Sequence, residues 1–222
     1  MIDFRLHAGP SFASRWLIPR LGTLYALLPD LQLHVIGTRD YFDPAELDFG
    51  LAVAFTQHPA SSLHKEVLLQ EYLTPICSPE YLAGNRFLKT PADLASWTLL
   101  YHSDTWPSTA HDGEWSLWLH EVGAQSINAS QRLFFSLPNL AIESALAHQG
   151  IAMGRMCLIQ ELLAQGTLVS PLPSAVKTPG RYYLVYHHDF PGRRGAQAMI
   201  EWLREEATKL RPARELSFWA CR

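Results

Sequence analysis

The stretch LDFGLAVAF at 47–55 limits the possible folds most. A strand with one buried face alternates apolar and polar residues, but this one is apolar almost without a break. Such a strand needs cover on both faces, the situation in a parallel sheet flanked by helices. The pattern around it agrees. FRLHA (4–8) alternates and meets Gly9-Pro10, which reads as a strand ending in a turn. Phe12, Trp16, Leu17, Leu21, Leu24, Leu27 and Leu28 then recur at three- and four-residue steps, predicting a helix that Pro19 kinks or restarts. LQLHVIG (31–37) is a strand, and Asp43-Pro44 opens a short helix. Strand, helix, strand, helix, strand is the start of an α/β fold with right-handed crossovers.

Further along, 64–79 predicts two extended pieces and Ser78-Pro79 starts a helix. TPADLASW (90–97) is a helix, TLLYH (98–102) a strand, GEWSLWLHEVGA (113–124) a helix and RLFFS (132–136) a strand. LPNLAIESALAHQG (137–150) is a helix closed by Gly150. The sequence 151–155 is a strand, 158–166 a helix, 168–172 and 180–187 are strands, and 195–210 is the last helix. The tryptophans Trp16, Trp97, Trp115, Trp118 and Trp202 belong to the core, whereas Trp106 lies in the polar stretch 103–113, where an aromatic can line a pocket rim.

Composition excludes several functions. The 222 residues are 48% hydrophobic and 18% charged, with a net charge of −3. No basic stripe is present, so this chain by itself is a poor nucleic-acid binder. No apolar run reaches the roughly 18–20 residues of a membrane span, and the first residues lack the pattern of a secretory signal. Three scattered cysteines, Cys77, Cys157 and Cys221, point to reduced thiols and a cytoplasmic location. No C-x-x-C or H-x-x-x-H spacing occurs, and HHD (187–189) reads as a polar loop, so no metal is expected. No phosphate loop follows a strand, so no cofactor is expected either.

The stretch GPSFASRW (9–16) poses the functional question. Gly9-Pro10-Ser11-Phe12-Ala13 falls one glycine short of a nucleophile elbow, which makes a serine hydrolase one reading. The other reading makes Ser11 an N-cap, at a helix start that attracts a carboxylate or phosphate outside the carboxyl end of a strand. Ser136 repeats this arrangement ahead of helix 138–149, and two such ends facing each other form a small-anion clamp. Two unrelated N-caps fit the same residues.

Taken in order, the segments PSFASRWLIPRL (10–21), LPDLQLHV (28–35), LDFGLAV (47–53), LLQEYLTPICSPEYL (68–82), TPADLASWTLLYH (90–102), WSLWLHEVGA (115–124), LAIESALAHQGIAMGR (140–155) and LLAQGTLVSPL (162–172) resemble the effector-binding domain of LysR-type transcriptional regulators. The branch they resemble contains regulators of glycine cleavage and of inducible β-lactamase. The resemblance implies a type 2 periplasmic-binding-protein-like α/β fold, with two lobes joined by two crossing strands and a small, anionic effector between them. Lobe I is then 1–73 with 177–222, and lobe II is 74–176. The winged helix-turn-helix that binds DNA in this family is expected to be absent from this chain. A solute-binding protein of the same fold is the alternative.

The same resemblance implies effector contacts at Ser11, Phe12, Thr38, Asp43, His102, Ser103, Ser136 and Tyr182. It also implies an antiparallel homodimer, with a tetramer in the full-length form. Its interface would use Leu21, Leu24, Tyr25 and Leu28 of one chain against Ile142 and Leu146 of the other. No catalytic residue is implied. One departure stands out: Ala52 and Ala54 replace the branch's arginine and glycine on the third strand, which alters the pocket floor or a lobe contact, so the branch's effector does not transfer.

Overall fold

The structure is a computed structural model that describes residues 1–38, 50–57, 59, 62–84, 88–103 and 112–210. Asp43, Trp106 and the helix expected at Asp43-Pro44 lie outside these residues. The chain divides into two compact units, Met1–Glu71 with Thr178–Leu210, and a second beginning at Tyr72 and running to Lys177.

In the first unit the strands follow the order β2-β1-β3-β8. β1 (Ile2–Ala8) pairs in parallel with both β2 (Leu31–Gly37) and β3 (Leu51–Thr56). β8 (Val176–Tyr186), which returns from the second unit, runs antiparallel to β3. Leu51 to Phe55 are all buried, as their unbroken apolar run requires. Terminal β2 alternates instead.

The helix after β1 is not one helix. Pro10–Phe12 (α1) passes into a π turn at Ala13–Leu17, a 3-10 turn at Ile18–Arg20, and then α2 at Leu21–Leu27. Pro19 has no amide to donate, so the α-helical ladder breaks around it. The Arg20 guanidinium donates to the Trp16 carbonyl at 2.8 Å and lies 5.0 Å over the Trp16 ring. Trp16 itself is fully buried. On the last helix of the unit, Ala196–Thr208, Trp202 donates its indole N–H to Thr23 at 2.9 Å, tying that helix to α2.

A single strand, β4 (His64–Ile76), rather than two extended pieces, leads out of the first unit. The second unit has the order β4-β7-β5-β6. β5 (Thr98–His102) lies parallel to β6 (Gln131–Phe135) and to β7 (Ile151–Arg155), and β4 runs antiparallel to β7. Its helices are α3 (Pro79–Ala83), α4 (Gly113–Glu121), α5 (Pro138–Leu146) and α6 (Met156–Ala164). Between α3 and β5, Thr90-Pro91 opens a 3-10 turn, Pro91–Ser96, in which the Asp93 carboxylate accepts from the Thr90 amide at 2.8 Å. Trp97, Trp115 and Trp118 build the core with Leu73, Leu99 and Tyr101, and both α4 indoles donate to carbonyls, Trp115 to Leu100 and Trp118 to Ser174.

Two sequence expectations change here. Residues 168–172 form no strand, only isolated bridge positions at Val169, which pairs with Cys77, and Ser170, and Pro171 has no amide to extend them. Nor does Gly150 close α5. The left-handed residue is His148, at φ 61°, with the Gln149 amide reaching back to Ser144 at 3.0 Å. The imidazole is held in place, Nδ1 lying 2.6 Å from the Ser78 hydroxyl. Gly150 serves the strand that follows. A Cβ there would stand 2.7 Å from the Thr98 carbonyl and 3.0 Å from Leu100. Gly150→Ala should therefore cost about 1–3 kcal/mol, read as a lower urea midpoint with an unchanged slope.

Among the described residues no helix is long and apolar enough to cross a membrane.

Candidate functional site

The expected effector residues fall into two groups, one in each unit. In the first unit, Ser11, Phe12 and Thr38 collect where β1 and β2 end. Thr38 donates its amide to the Ala8 carbonyl at 2.9 Å, carrying the β1–β2 ladder one step past the strands. Gly37 approaches Pro10 so closely that a Cβ would touch its ring at 3.7 Å. The Phe12 ring lies 4.7 Å from Trp16 and 4.8 Å from Tyr182, and Tyr182 lies 4.9 Å from Phe55. Phe12 and Tyr182 are 2% and 3% exposed, so both rings belong to the aromatic packing under the strand ends.

Ser11 is not the N-cap. Gly9 holds that position with φ −57° and ψ 138°, and its carbonyl accepts from Ala13 at 2.9 Å. Pro10 takes the first helical position, where its fixed φ suits the helix and its missing amide costs nothing. Ser11 is thereby moved one residue inside the helix and is 6% exposed.

In the second unit, Ser103 and Ser136 stand at the ends of neighbouring strands. Ser103 donates both its amide (2.9 Å) and its hydroxyl (3.1 Å) to the Phe135 carbonyl. Ser136 is exposed and is not an N-cap either, since Leu137 occupies that place ahead of Pro138. Pro138 again takes the first helical position, and the serine falls outside the cap.

His102 leads to residues that sequence reasoning missed. It is 7% exposed, and its Nδ1 lies 3.7 Å from Glu114 Oε1, longer than a hydrogen bond and within ion-pair contact. The same oxygen accepts from Arg155 Nε at 2.9 Å. Glu114 and Arg155 are 2% and 3% exposed. Burial alone would push the Glu114 carboxyl up, but the Arg155 guanidinium and then His102 outweigh it and hold Glu114 below the usual carboxylate range. The signal was present in the sequence as charges at the edges of apolar runs, GEWSLWL and IAMGR. Charges so placed are buried only with a partner, but the partner is 41 residues away.

Of the expected interface residues, Leu24 and Ile142 are 0% exposed in the single chain and so offer no surface to a second one. Leu21, Leu28 and Leu146 are half-buried, and Tyr25 is exposed. Ile18 and Leu27 near Tyr25, and Leu133, Phe134 and Leu140 in the second unit, are the other large apolar side chains left in solvent around these helices. On β3, Ala52 and Ala54 pack with Leu63 and Val185, so small residues fill the place of the arginine and glycine expected there.

The family model for the LysR substrate binding domain matches residues 3–208. The HTH-type transcriptional regulator DsdC of Escherichia coli K12 is 33% identical over 204 residues, which are 90% of this chain and 64% of that protein. The glycine cleavage system transcriptional activator of the same strain is 30% identical over 198 residues, 89% of this chain and 63% of the relative. The chain thus spans a little under two thirds of the length of these relatives. The effector domain of the transcriptional regulator AmpR of Pseudomonas aeruginosa superposes with a TM-score of 0.76 at 25% identity, covering 94% of this chain and 96% of that one. The AmpR effector binding domain from Citrobacter freundii has the same fold, with a TM-score of 0.77 at 21% identity over 94% and 100% of the two chains. The family match along almost the whole described chain, and the shared fold, make this chain a member of the LysR substrate binding domain family.

Proposed function

We propose that this chain senses a small anionic effector and, as part of a LysR-type regulator, converts its binding into a change of oligomer geometry on DNA. The two units are the lobes of the effector domain, and the protein works in the cytoplasm without catalysing a reaction. The observation that supports this most is the grouping of Ser11 and Thr38 at the carboxyl ends of parallel strands β1 and β2. In open α/β sheets that edge is where ligands bind. The start of α1 adds amides and a serine hydroxyl suited to an anion. Asp43 is a further proposed contact of the first unit, where Phe12 and Tyr182 pack beneath the strand ends, and Ser103 and Ser136 are proposed contacts of the second unit. The effector acts by differential affinity: it stabilises whichever arrangement of the oligomer binds it better.

A thermal-shift screen of small mono- and dicarboxylates against the purified chain tests the reading. At least one should raise the melting temperature with a saturable dose response. Ser11→Ala should weaken that ligand about tenfold, the loss of one hydrogen bond to a charged group. A panel with no stabilising anion, or a hit indifferent to Ser11→Ala, overturns it.

The assembly proposed with it is an antiparallel two-fold dimer. The exposed apolar face at Ile18, Tyr25 and Leu27, rimmed by Leu21 and Leu28, lies against Leu140 and Leu146 of a second copy, twice by symmetry.

A further inference from the structure

Among the described residues, the arginines that are not exposed are Arg15, Arg20, Arg155, Arg181 and Arg193. Four of them have partners. Arg20 donates to the Trp16 carbonyl and lies 3.7 Å from Glu206, Arg155 holds Glu114, and Arg15 and Arg193 are engaged as well. The half-buried Arg181 differs: its guanidinium makes neither an ion pair nor a hydrogen bond to a described residue. A guanidinium at this depth has lost part of its hydration, and only a counter-charge makes up that loss.

The place of Arg181 in the fold points to the source of that counter-charge. Arg181 stands opposite Thr56, the last residue of β3, so its side chain leaves β8 at the carboxyl rim of the first unit's sheet. β1 and β3 run parallel, and Ser11 and Thr38 follow the strands that end at the same rim. The neighbours of Arg181 and Ser11 touch: Tyr182, next in the chain to Arg181, has its ring 4.8 Å from that of Phe12, next in the chain to Ser11. Tyr182 turns toward α1, and the alternation of β8 turns Arg181 to the other face, that of Ala52 and Ala54. β8 stands two strands from β1, about 10 Å away. An arginine side chain and a small carboxylate span such a gap together. The guanidinium presents parallel N–H groups in a planar fork, which matches the two oxygens of a carboxylate.

We propose that Arg181 is the cationic anchor of the effector site in the first unit, where it pairs with a carboxylate of the ligand and selects carboxylates over uncharged groups of the same shape. Ser11 and Thr38 supply hydrogen bonds, and Arg181 supplies the positive charge. The inference rests on the reading of this chain as a sensor of a small anion and names the residue that makes the site choose an anion.

The probes are acetate and its uncharged counterpart acetamide. The Arg181 Nε–H signal, identified by its loss in Arg181→Met, is followed by NMR as each is added. Acetate should shift it saturably, and acetamide should leave it in place. Arg181→Met should weaken acetate binding at least about tenfold, the loss of charge-assisted hydrogen bonds. Arg181→Lys should lose less, since it keeps the charge without the fork. Added sodium chloride should weaken acetate binding to the wild type more than to Arg181→Met. The free Arg181→Met chain should melt no lower than the wild type, because methionine keeps most of the apolar stem and removes an unpaired charge. An Arg181 signal that acetate leaves unmoved overturns the anchor, and so does an Arg181→Met chain that binds acetate as the wild type does. A free variant that melts lower puts the guanidinium to work in the packing of the fold and overturns it too. If a carboxylate from the panel stabilises the chain through Ser11 and is indifferent to Arg181→Met, the anchor fails and the effector reading stands. If no carboxylate binds anywhere, both fail.

Discussion

Replacing Arg155 with methionine should cost about 3–5 kcal/mol, because it strands the Glu114 carboxylate inside the second unit without its counter-charge. Met has nearly the length of the arginine stem, so the packing loss is minor and the electrostatic loss dominates. The double variant Glu114→Met, Arg155→Met should regain most of that loss, since an apolar pair of similar volume avoids desolvating two ions. The acid response follows from the position of Glu114. Its carboxyl lies below the ordinary value in the folded state, so its contribution is complete above the unfolded value of about 4.3. It is lost as pH falls from there through the folded value. Urea melts at pH 7 and at acid pH should therefore show a steeper acid loss in the wild type than in the double variant. A single variant within 1 kcal/mol of wild type, or a double variant no more stable than the single, would refute the account of the pair.

The second large effect concerns assembly. Leu27→Asp should leave the protomer folded and abolish the dimer. Leu27 is 53% exposed in the single chain, so the carboxylate is hydrated in the monomer. In the proposed dimer it would be buried against the partner, at several kcal/mol for an unpaired charge and twice over by the two-fold axis. A weakening on the order of a thousandfold or more follows. Sedimentation velocity at micromolar concentration should show a dimer for wild type and a monomer of unchanged circular dichroism for Leu27→Asp. Leu24→Asp is the contrasting variant: three residues earlier but 0% exposed, it should unfold the protomer. A wild type that sediments as a monomer, or a Leu27→Asp chain that remains dimeric, would exclude this interface.

Leu24 and Leu27 also show where one-dimensional reading stops. Both lie on the same apolar helical repeat, and periodicity assigns them a shared role. Both sit in α2, yet Leu24 is fully buried and Leu27, the last residue of that helix, is 53% exposed, because which part of an apolar repeat is covered depends on what packs against it. Proline sets a second limit at helix starts. Pro10 and Pro138 occupy the first helical position, moving the cap from Ser11 to Gly9 and from Ser136 to Leu137. A short serine-proline pattern does not reveal on which side of the boundary the serine falls, because that depends on the φ and ψ of a residue outside the helix.

Most of the strands and helices, the buried β3 and the buried tryptophans were legible in the sequence alone, since each follows from periodicity within about ten residues. The carboxyl-edge location of Ser11 and Thr38 was legible for the same reason: a strand followed by a turn and a helix places its end there. The pairing of Glu114 with Arg155 and the approach of His102 to the same carboxylate were decided by tertiary structure. These three residues meet because β5 and β7 lie parallel and α4 packs over their ends. Residues far apart in the chain, on separate elements, leave no local pattern, and only the energetic demand that a buried charge find its counter-charge connects them.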